Sequence, residues 1–358
     1  MLSNLRSLSK LASVLLGLVI LLSCTGKTVK TEPMLLTLLE KQSLEFTDGR
    51  GRFREIFCAV LDDHGKDLPD YQACEQALVN VDELMFEGDN TVALGVSEQD
   101  FLIGLVPGLA WQCVQAWLDD DDTAVSNLAA YGYDARLFEV GGLSSIEHNA
   151  QQLKQHISDL SAEDNTRPLI LIGYSKGIAD ILEAITLYPE IAENVIAVVS
   201  VAGAVGGSPL AEDADQSRLN MLAHIPLSAC DKGDEGALNS LRPVVRQQWL
   251  AEHTLPQHIA YYSVISYPDE AQVSFGLQSS YNTLAEVDAR NDGQLIFYDQ
   301  LIPNATLLAL VNADHWAMSV PVARQLSINR MTFANKNEYP REALLEAIVR
   351  YIEEDLNQ

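Results

Sequence analysis

The sequence predicts an α/β protein: a mostly parallel central sheet with helices on both faces. Two observations carry that reading. Six short apolar runs recur after Thr91, and the stretches between them place apolar residues at helical spacing. A parallel strand is covered on both faces, so it reads as one continuous apolar run, whereas a half-exposed strand alternates. The chain has 358 residues, of which 47% are hydrophobic and 20% charged, enough to bury a large core in one domain or two. Its 23 basic and 50 acidic residues give a net charge of −27. Such a surface repels phosphate backbones and anionic headgroups, which excludes nucleic acid as a partner.

The first element is a leader. Arg6 and Lys10 precede the apolar run LASVLLGLVILLS at 11–23, too short to span a bilayer but suited to a signal-peptide core. The following Leu21-Leu22-Ser23-Cys24 resembles the bacterial lipobox, in which the chain is cut before the cysteine and the thiol carries a diacylglycerol. The resemblance implies a lipoprotein signal peptide at 1–23 and a lipid on Cys24, with residues 24–33 as a polar tether. Thr25, rather than Asp, after the cysteine implies the outer membrane of a bacterial cell envelope. The alternatives are an ordinary signal peptide and an uncleaved anchor. Beyond Cys24, an even set remains in an oxidising compartment: Cys58, Cys74, Cys113 and Cys230. Three pairings are possible; the short spacing favours Cys58–Cys74, leaving Cys113–Cys230, and four reduced buried thiols are the alternative.

Residues 34–90 are expected to be a helical extension, with Phe53, Ile56, Phe57, Val60 and Leu61 on one face. Asp62, Asp63, His64 and Asp67 follow no metal-ligand spacing and read as a solvated loop, and Asp119–Asp122 lack the turn glycine and alternation of a calcium loop. No metal or cofactor is expected, since no glycine-rich phosphate motif follows any strand. Residues 91–358 hold the α/β domain, with expected strands FLIGLVP (101–107), ARLFEV (135–140), PLILIG (168–173), IAVVSVAG (196–203), IAYYSVISY (259–267) and TLLALVN (306–312). Residues 206–258 break the rhythm with two helical patterns and many charges, and read as a lid inserted after a strand, or as a plain surface excursion.

The chemistry centres on Gly173-Tyr174-Ser175-Lys176-Gly177, which joins the third expected strand to a helix whose Ile178, Ile181, Leu182 and Ile185 share a face. A serine hydroxyl is a poor nucleophile until a base takes its proton, and the tetrahedral product needs donors for its oxyanion. A sharp strand-to-helix turn presents the hydroxyl above the sheet, with glycines where two backbones approach too closely for a Cβ. It also aims the Lys176 amide into the site from the positive end of the helix. The Lys176 side chain is expected to point to solvent, the alternative being attraction of a substrate carboxylate. Of the downstream histidines, His224 and His253 lie in the inserted segment and His258 precedes a strand. Only His315 leaves the last strand on a loop, so it is the candidate base.

With GYSKG (173–177), NDGQL (291–295), LIPNA (301–305) and ADHW (313–316), residues 91–355 resemble an α/β-hydrolase of the bacterial lipase and esterase kind. The resemblance implies Asp292 as the acid orienting His315, with Asp299 as the alternative and Asp314 too close along the backbone. It also implies the Leu109 amide as the second oxyanion donor beside that of Lys176, with Gly108 as the alternative. A Cys113–Cys230 bridge would tie that loop to the lid. The implied activity is cleavage of a small-molecule or lipid carboxylic ester through an acyl-enzyme. Thioester cleavage and acyl transfer use the same parts, and an inactive hydrolase-like binding or scaffold lipoprotein is the competing class. Contact with a membrane is expected through the N-terminal lipid only.

Overall fold

Alternate residues along the central strands face opposite layers of helix, and this places the site. The computed structural model describes residues 46–79, 91–112, 123–163, 167–212, 232–319, 321, 324 and 334–357, all within the compact unit Leu38–Gln358. Among them seven strands form one sheet: β1 (Thr47–Asp48), β2 (Leu102–Val106), β3 (Asp134–Leu137), β4 (Leu169–Tyr174), β5 (Val195–Val201), β6 (Ala260–Ser266) and β7 (Thr306–Val311). Their order is β1-β7-β6-β5-β4-β2-β3 and every neighbouring pair is parallel. Strands β2 to β7 are the six apolar runs read from the sequence. Strand β1 was not anticipated: two exposed polar residues carry no strand signal, and it forms only because it lies beside Thr306 and Leu307 of β7.

The principal helices are α1 (Arg50–Asp63), α2 (Thr123–Ala130), α3 (Ile146–Glu163), α4 (Lys176–Leu187), α5 (Pro243–Glu252), α6 (Gln278–Ala285), α7 (His315–Ser319) and α8 (Arg341–Leu356). On one face Ile103, Leu105, Ile170, Ile172, Val199 and Val201 meet Phe53, Ile56 and Phe57 of α1 and Leu344, Ile348 and Ile352 of α8. On the other, Leu102, Leu169, Leu171 and Val198 meet Leu153 and Ile157 of α3 and Ile178, Ile181, Leu182 and Ile185 of α4. Each such side chain contributes about 1.5–3 kcal/mol when fully buried. The expected N-terminal helix is therefore part of the same body as the sheet, packed against it and against α8. Cys58 and Cys74 are joined by a disulfide that staples α1 to the short helix Cys74–Ala77.

His64 is not in a solvated loop. It closes α1, with Nδ1 3.0 Å from Asp63 and Nε2 2.9 Å from the fully buried Glu346 of α8, and stacks on Tyr131. The described parts of the inserted segment, 206–212 and 232–258, hold the helical turns Pro209–Ala211 and Ala237–Ser240 and helix α5. Cys24, Cys113, Cys230, His224 and Asp119–Asp122 lie outside the described residues.

Candidate active site

The C-terminal edge of a parallel sheet is where α/β folds bind ligands, at the crevice where the strand order reverses. Here β2 leads to β3 on one side and β4 to β5 on the other, so the crevice lies between β2 and β4, and Ser175 follows β4 directly. Ser175 has φ 51° and ψ −122°, a backbone state that an L-residue adopts at a cost of about 1–3 kcal/mol. The turn is held by Ser175 N donating to Val201 O at 3.3 Å and by Ala204 N donating to Ser175 O at 2.8 Å. Two glycines permit it. A Cβ on Gly173 would lie 2.5 Å from the Ile178 nitrogen, and one on Gly177 would lie 2.3 Å from the Val106 oxygen. Both obstacles are backbone, so neither can move aside cheaply.

His315 begins α7 just after β7. Its Nε2 lies 2.8 Å from Ser175 Oγ and its Nδ1 2.8 Å from Asp292 Oδ2. His315 is 6% exposed, while Asp292 is fully buried. The segment Asn291-Asp292-Gly293 holds that carboxylate through a local turn: Asn291 Oδ1 accepts from Gly293 N at 3.0 Å, and Gly293 takes φ +89°. Asp292 Oδ1 accepts from the amides of Gln294 and Leu295 at 2.9 and 2.7 Å. Its Oδ2 accepts from Gln300 Nε2 at 3.4 Å as well as from the ring. Gln300, which the sequence did not single out, is itself fixed, with its amide group bonded to both the nitrogen and the oxygen of Ser266 at 2.7 and 3.1 Å.

The rival residues are placed elsewhere. Asp299 turns toward the Gly206 backbone, whose amide donates to the Asp299 carbonyl at 2.8 Å. Asp314 caps α7, accepting from Ala317 N at 2.8 Å, and its other oxygen takes Ser274 N at 2.7 Å. Burial pushes the Asp314 carboxyl above the usual range, and these bonds work against that. His253 and His258 bond to the carbonyls of Trp249 and Ala192.

The loop after β2 backs onto the serine: a Cβ on Gly108 would lie 2.7 Å from Ser175 Cβ and 3.3 Å from its Oγ. Next to it, Ala110 takes φ 59° and donates its amide to Gly142 O at 2.9 Å. Among the described residues the amides of Leu109 and Lys176 donate to no protein acceptor. The Lys176 side chain corrects the sequence reading. It is 1% exposed, and Nζ donates to Asp180 Oδ1 at 2.6 Å, one turn along α4. Burial pushes the lysine down and the aspartate up from their ordinary values, and mutual attraction opposes both shifts. Asn149, itself bonded to Gly141 O, closes over this face, which periodicity along α4 could not reveal.

A serine at a strained strand-to-helix turn on such a sheet edge defines an α/β-hydrolase. No protein-family model and no curated protein matches the sequence. Among solved structures the chain is similar to the metagenomic carboxyl esterase MGS0156, with 39% identity and a TM-score of 0.80 over 87% of this chain and 93% of that one. It is also similar to the mature lipase BlEst2 of Bacillus licheniformis, with 21% identity and a TM-score of 0.49 over 63% of this chain and 89% of that one. The chain belongs to the carboxyl esterase family of α/β-hydrolases.

Proposed function

We propose that the protein cleaves carboxylic esters through an acyl-enzyme on Ser175, with His315 as the base and Asp292 as the acid that orients it. The observation that carries this reading is the unbroken line from Ser175 Oγ to His315 Nε2 and from His315 Nδ1 to Asp292 Oδ2, each link 2.8 Å long. As Oγ attacks the ester carbonyl, Nε2 takes its proton and Asp292 stabilises the resulting imidazolium without itself being protonated. The carbonyl oxygen becomes an oxyanion facing the free amides of Lys176 and Leu109, the first at the positive end of α4. Collapse of the tetrahedral adduct expels the alcohol, which leaves with the proton from Nε2, and water repeats the sequence to release the acid. A fluorophosphonate probe and a series of chromogenic esters from acetate to palmitate test this. Labelling and turnover that both vanish in Ser175→Ala support it, and folded wild-type protein that neither labels nor turns over any ester overturns it.

The same reading places the enzyme on a bacterial outer membrane through a lipid on Cys24. What supports this is the order of Arg6 and Lys10, the apolar run 11–23 and Leu21-Leu22-Ser23-Cys24. Incorporation of labelled palmitate into wild type but not Cys24→Ser tests it, and equal labelling of the two would refute it.

A further inference from the structure

The two amides proposed to bind the oxyanion sit on different elements, the start of α4 and the loop after β2. A chain of buried polar contacts runs between them. Lys176 Nζ donates to Asp180 Oδ1 at 2.6 Å, and Asp180 Oδ2 accepts from Asn149 Nδ2 at 2.9 Å. The same Asn149 nitrogen donates to Gly141 O at 3.0 Å. Adjacent Gly142 accepts from Ala110 N at 2.9 Å, and Leu109 and Ala110 share a peptide bond. Lys176, Asp180 and Asn149 are each 1% exposed, so these bonds lie away from bulk solvent. Gly142 also packs tightly on the loop: a Cβ there would lie 3.1 Å from Ala110 Cα and 3.2 Å from the nitrogens of Ala110 and Trp111.

A buried ion pair is a poor way to add stability, because desolvation offsets most of the attraction, whereas its directional bonds fix geometry well. Apolar residues would fill this space at less cost if filling it were all that mattered. Resting on the ester-hydrolase reading, we infer that Asp180 and Asn149 are positioning residues, which through the Gly141–Gly142 loop fix the separation of the Lys176 and Leu109 amides around the oxyanion. They touch neither substrate nor reacting atoms. Asp180 holds Asn149, Asn149 holds the Gly141 carbonyl, and the loop holds the Leu109–Ala110 peptide.

Such a role shows in the transition state and not in ground-state binding. Loss of one oxyanion donor costs about 10²–10³ in kcat, and a displacement of about 1 Å can cost about 10². The variants are Asn149→Ala, which severs the chain without changing charge, and the double change Lys176→Met with Asp180→Leu, which replaces the ion pair by apolar volume. The readouts are kcat and KM on a chromogenic ester, affinity for a trifluoromethyl ketone, and thermal melting. That ketone adds Ser175 Oγ to its carbonyl carbon, passes the hydroxyl proton to His315 and leaves the carbonyl oxygen as an oxyanion, so it reports the same site. We expect kcat to fall about 10- to 100-fold with KM within about twofold, and ketone affinity to fall by the same factor as kcat.

A folded variant of either kind with kcat within about threefold of wild type overturns the inference, as does a loss carried by KM with ketone affinity unchanged. Asn149→Ala protein that is unfolded at the assay temperature also overturns it, since Asn149 would then hold the fold and not the site. Failure of the parent reading is distinct: wild-type protein would then neither cleave the ester nor bind the ketone.

Discussion

Replacing Asp292 by Asn tests the proposed triad most sharply, because the structure dictates which way the new amide must face. Oδ1 accepts two backbone amides, Gln294 N at 2.9 Å and Leu295 N at 2.7 Å, in a fully buried site. Only an oxygen can stay there, since an NH₂ group at that point would leave three donors facing one another at about 1–3 kcal/mol for each unmet group. The asparagine nitrogen therefore takes the place of Oδ2, giving up only the 3.4 Å bond from Gln300 Nε2, and presents a hydrogen to His315 Nδ1 at 2.8 Å. Nδ1 must then accept, which puts the ring proton on Nε2, pointing at Ser175 Oγ. An imidazole in that tautomer cannot take the serine proton. The comparable change in serine proteases lowers kcat by about 10⁴, about 5.4 kcal/mol of barrier. We expect a similar fall here in kcat for a chromogenic butyrate ester, with melting temperature little changed. Asp299→Asn, at the rival carboxylate, should stay within about threefold of wild type. An Asp292→Asn enzyme that is folded and retains more than about a tenth of wild-type kcat would refute the reasoning.

Other consequences follow from single features. The backbone of Ser175 at φ 51° suits glycine better than any L-residue, so Ser175→Gly should be more stable than Ser175→Ala by about 1 kcal/mol in urea titration, with both inactive; equal midpoints would argue that the turn is unstrained. For His64, burial lowers the pKa but the bonds to Asp63 and Glu346 outweigh it, leaving a net rise. A raised folded pKa gives stability that is complete below the unfolded value of about 6.5 and lost as pH rises through the folded value. The melting difference between wild type and His64→Gln should therefore grow as pH is lowered from 8 to 6, and a difference independent of pH would refute the pairing. Glu346 also accepts from Arg350 and Asn127, so it remains a partnered carboxylate in that variant. Removing the Cys58–Cys74 disulfide, which spans a sequence separation of 16, should cost about 3 kcal/mol in Cys58→Ser with Cys74→Ser; an unchanged denaturant midpoint would mean that packing of α1 alone holds this corner.

What the sequence made legible was whatever depends on neighbours along the chain. The strands β2 to β7 show as apolar runs because both faces of each are covered, and the elbow shows because its glycines lie two residues either side of Ser175. His315 was found by its place after the last strand. Asp292 needed the family resemblance, since Asp299 fits a loop position equally well on the page, and what separates them is the side-chain direction set by the Gly293 turn. Strand β1 was invisible because its two residues are polar and owe their conformation wholly to β7. Gln300 escaped notice because its partners, Ser266 and Asp292, are brought to it only by the fold. The same limit explains the error over Lys176. A lysine and an aspartate four residues apart on a helix usually mark a solvated face with a weak ion pair. Here Asn149, thirty-one positions before Asp180, closes over them.

That polar face of α4 also gives a physical reason for part of the inserted segment. Residues 176 to 185 are buried throughout, including Lys176, Asp180 and Glu183, so α4 needs a cover on the side away from the sheet. Helix α5 supplies part of it. Arg246 is 1% exposed, donates Nε to Val205 O at 3.2 Å and lies 4.6 Å from the centre of the Trp249 ring. Burial lowers its pKa to about 10, against the attraction of Glu183, Asp180 and Glu147. Burial raises the Glu183 carboxyl, and Arg246 opposes that rise. The cation of α5 thus sits among the anions of α3 and α4, while Trp249, Leu250 and Leu255 pack against the apolar cluster beneath. Lifting α5 would expose Trp249 and Leu250 and withdraw the charge that Glu183 and Asp180 face. Helix α5 is therefore held to the body by apolar packing and by charge together.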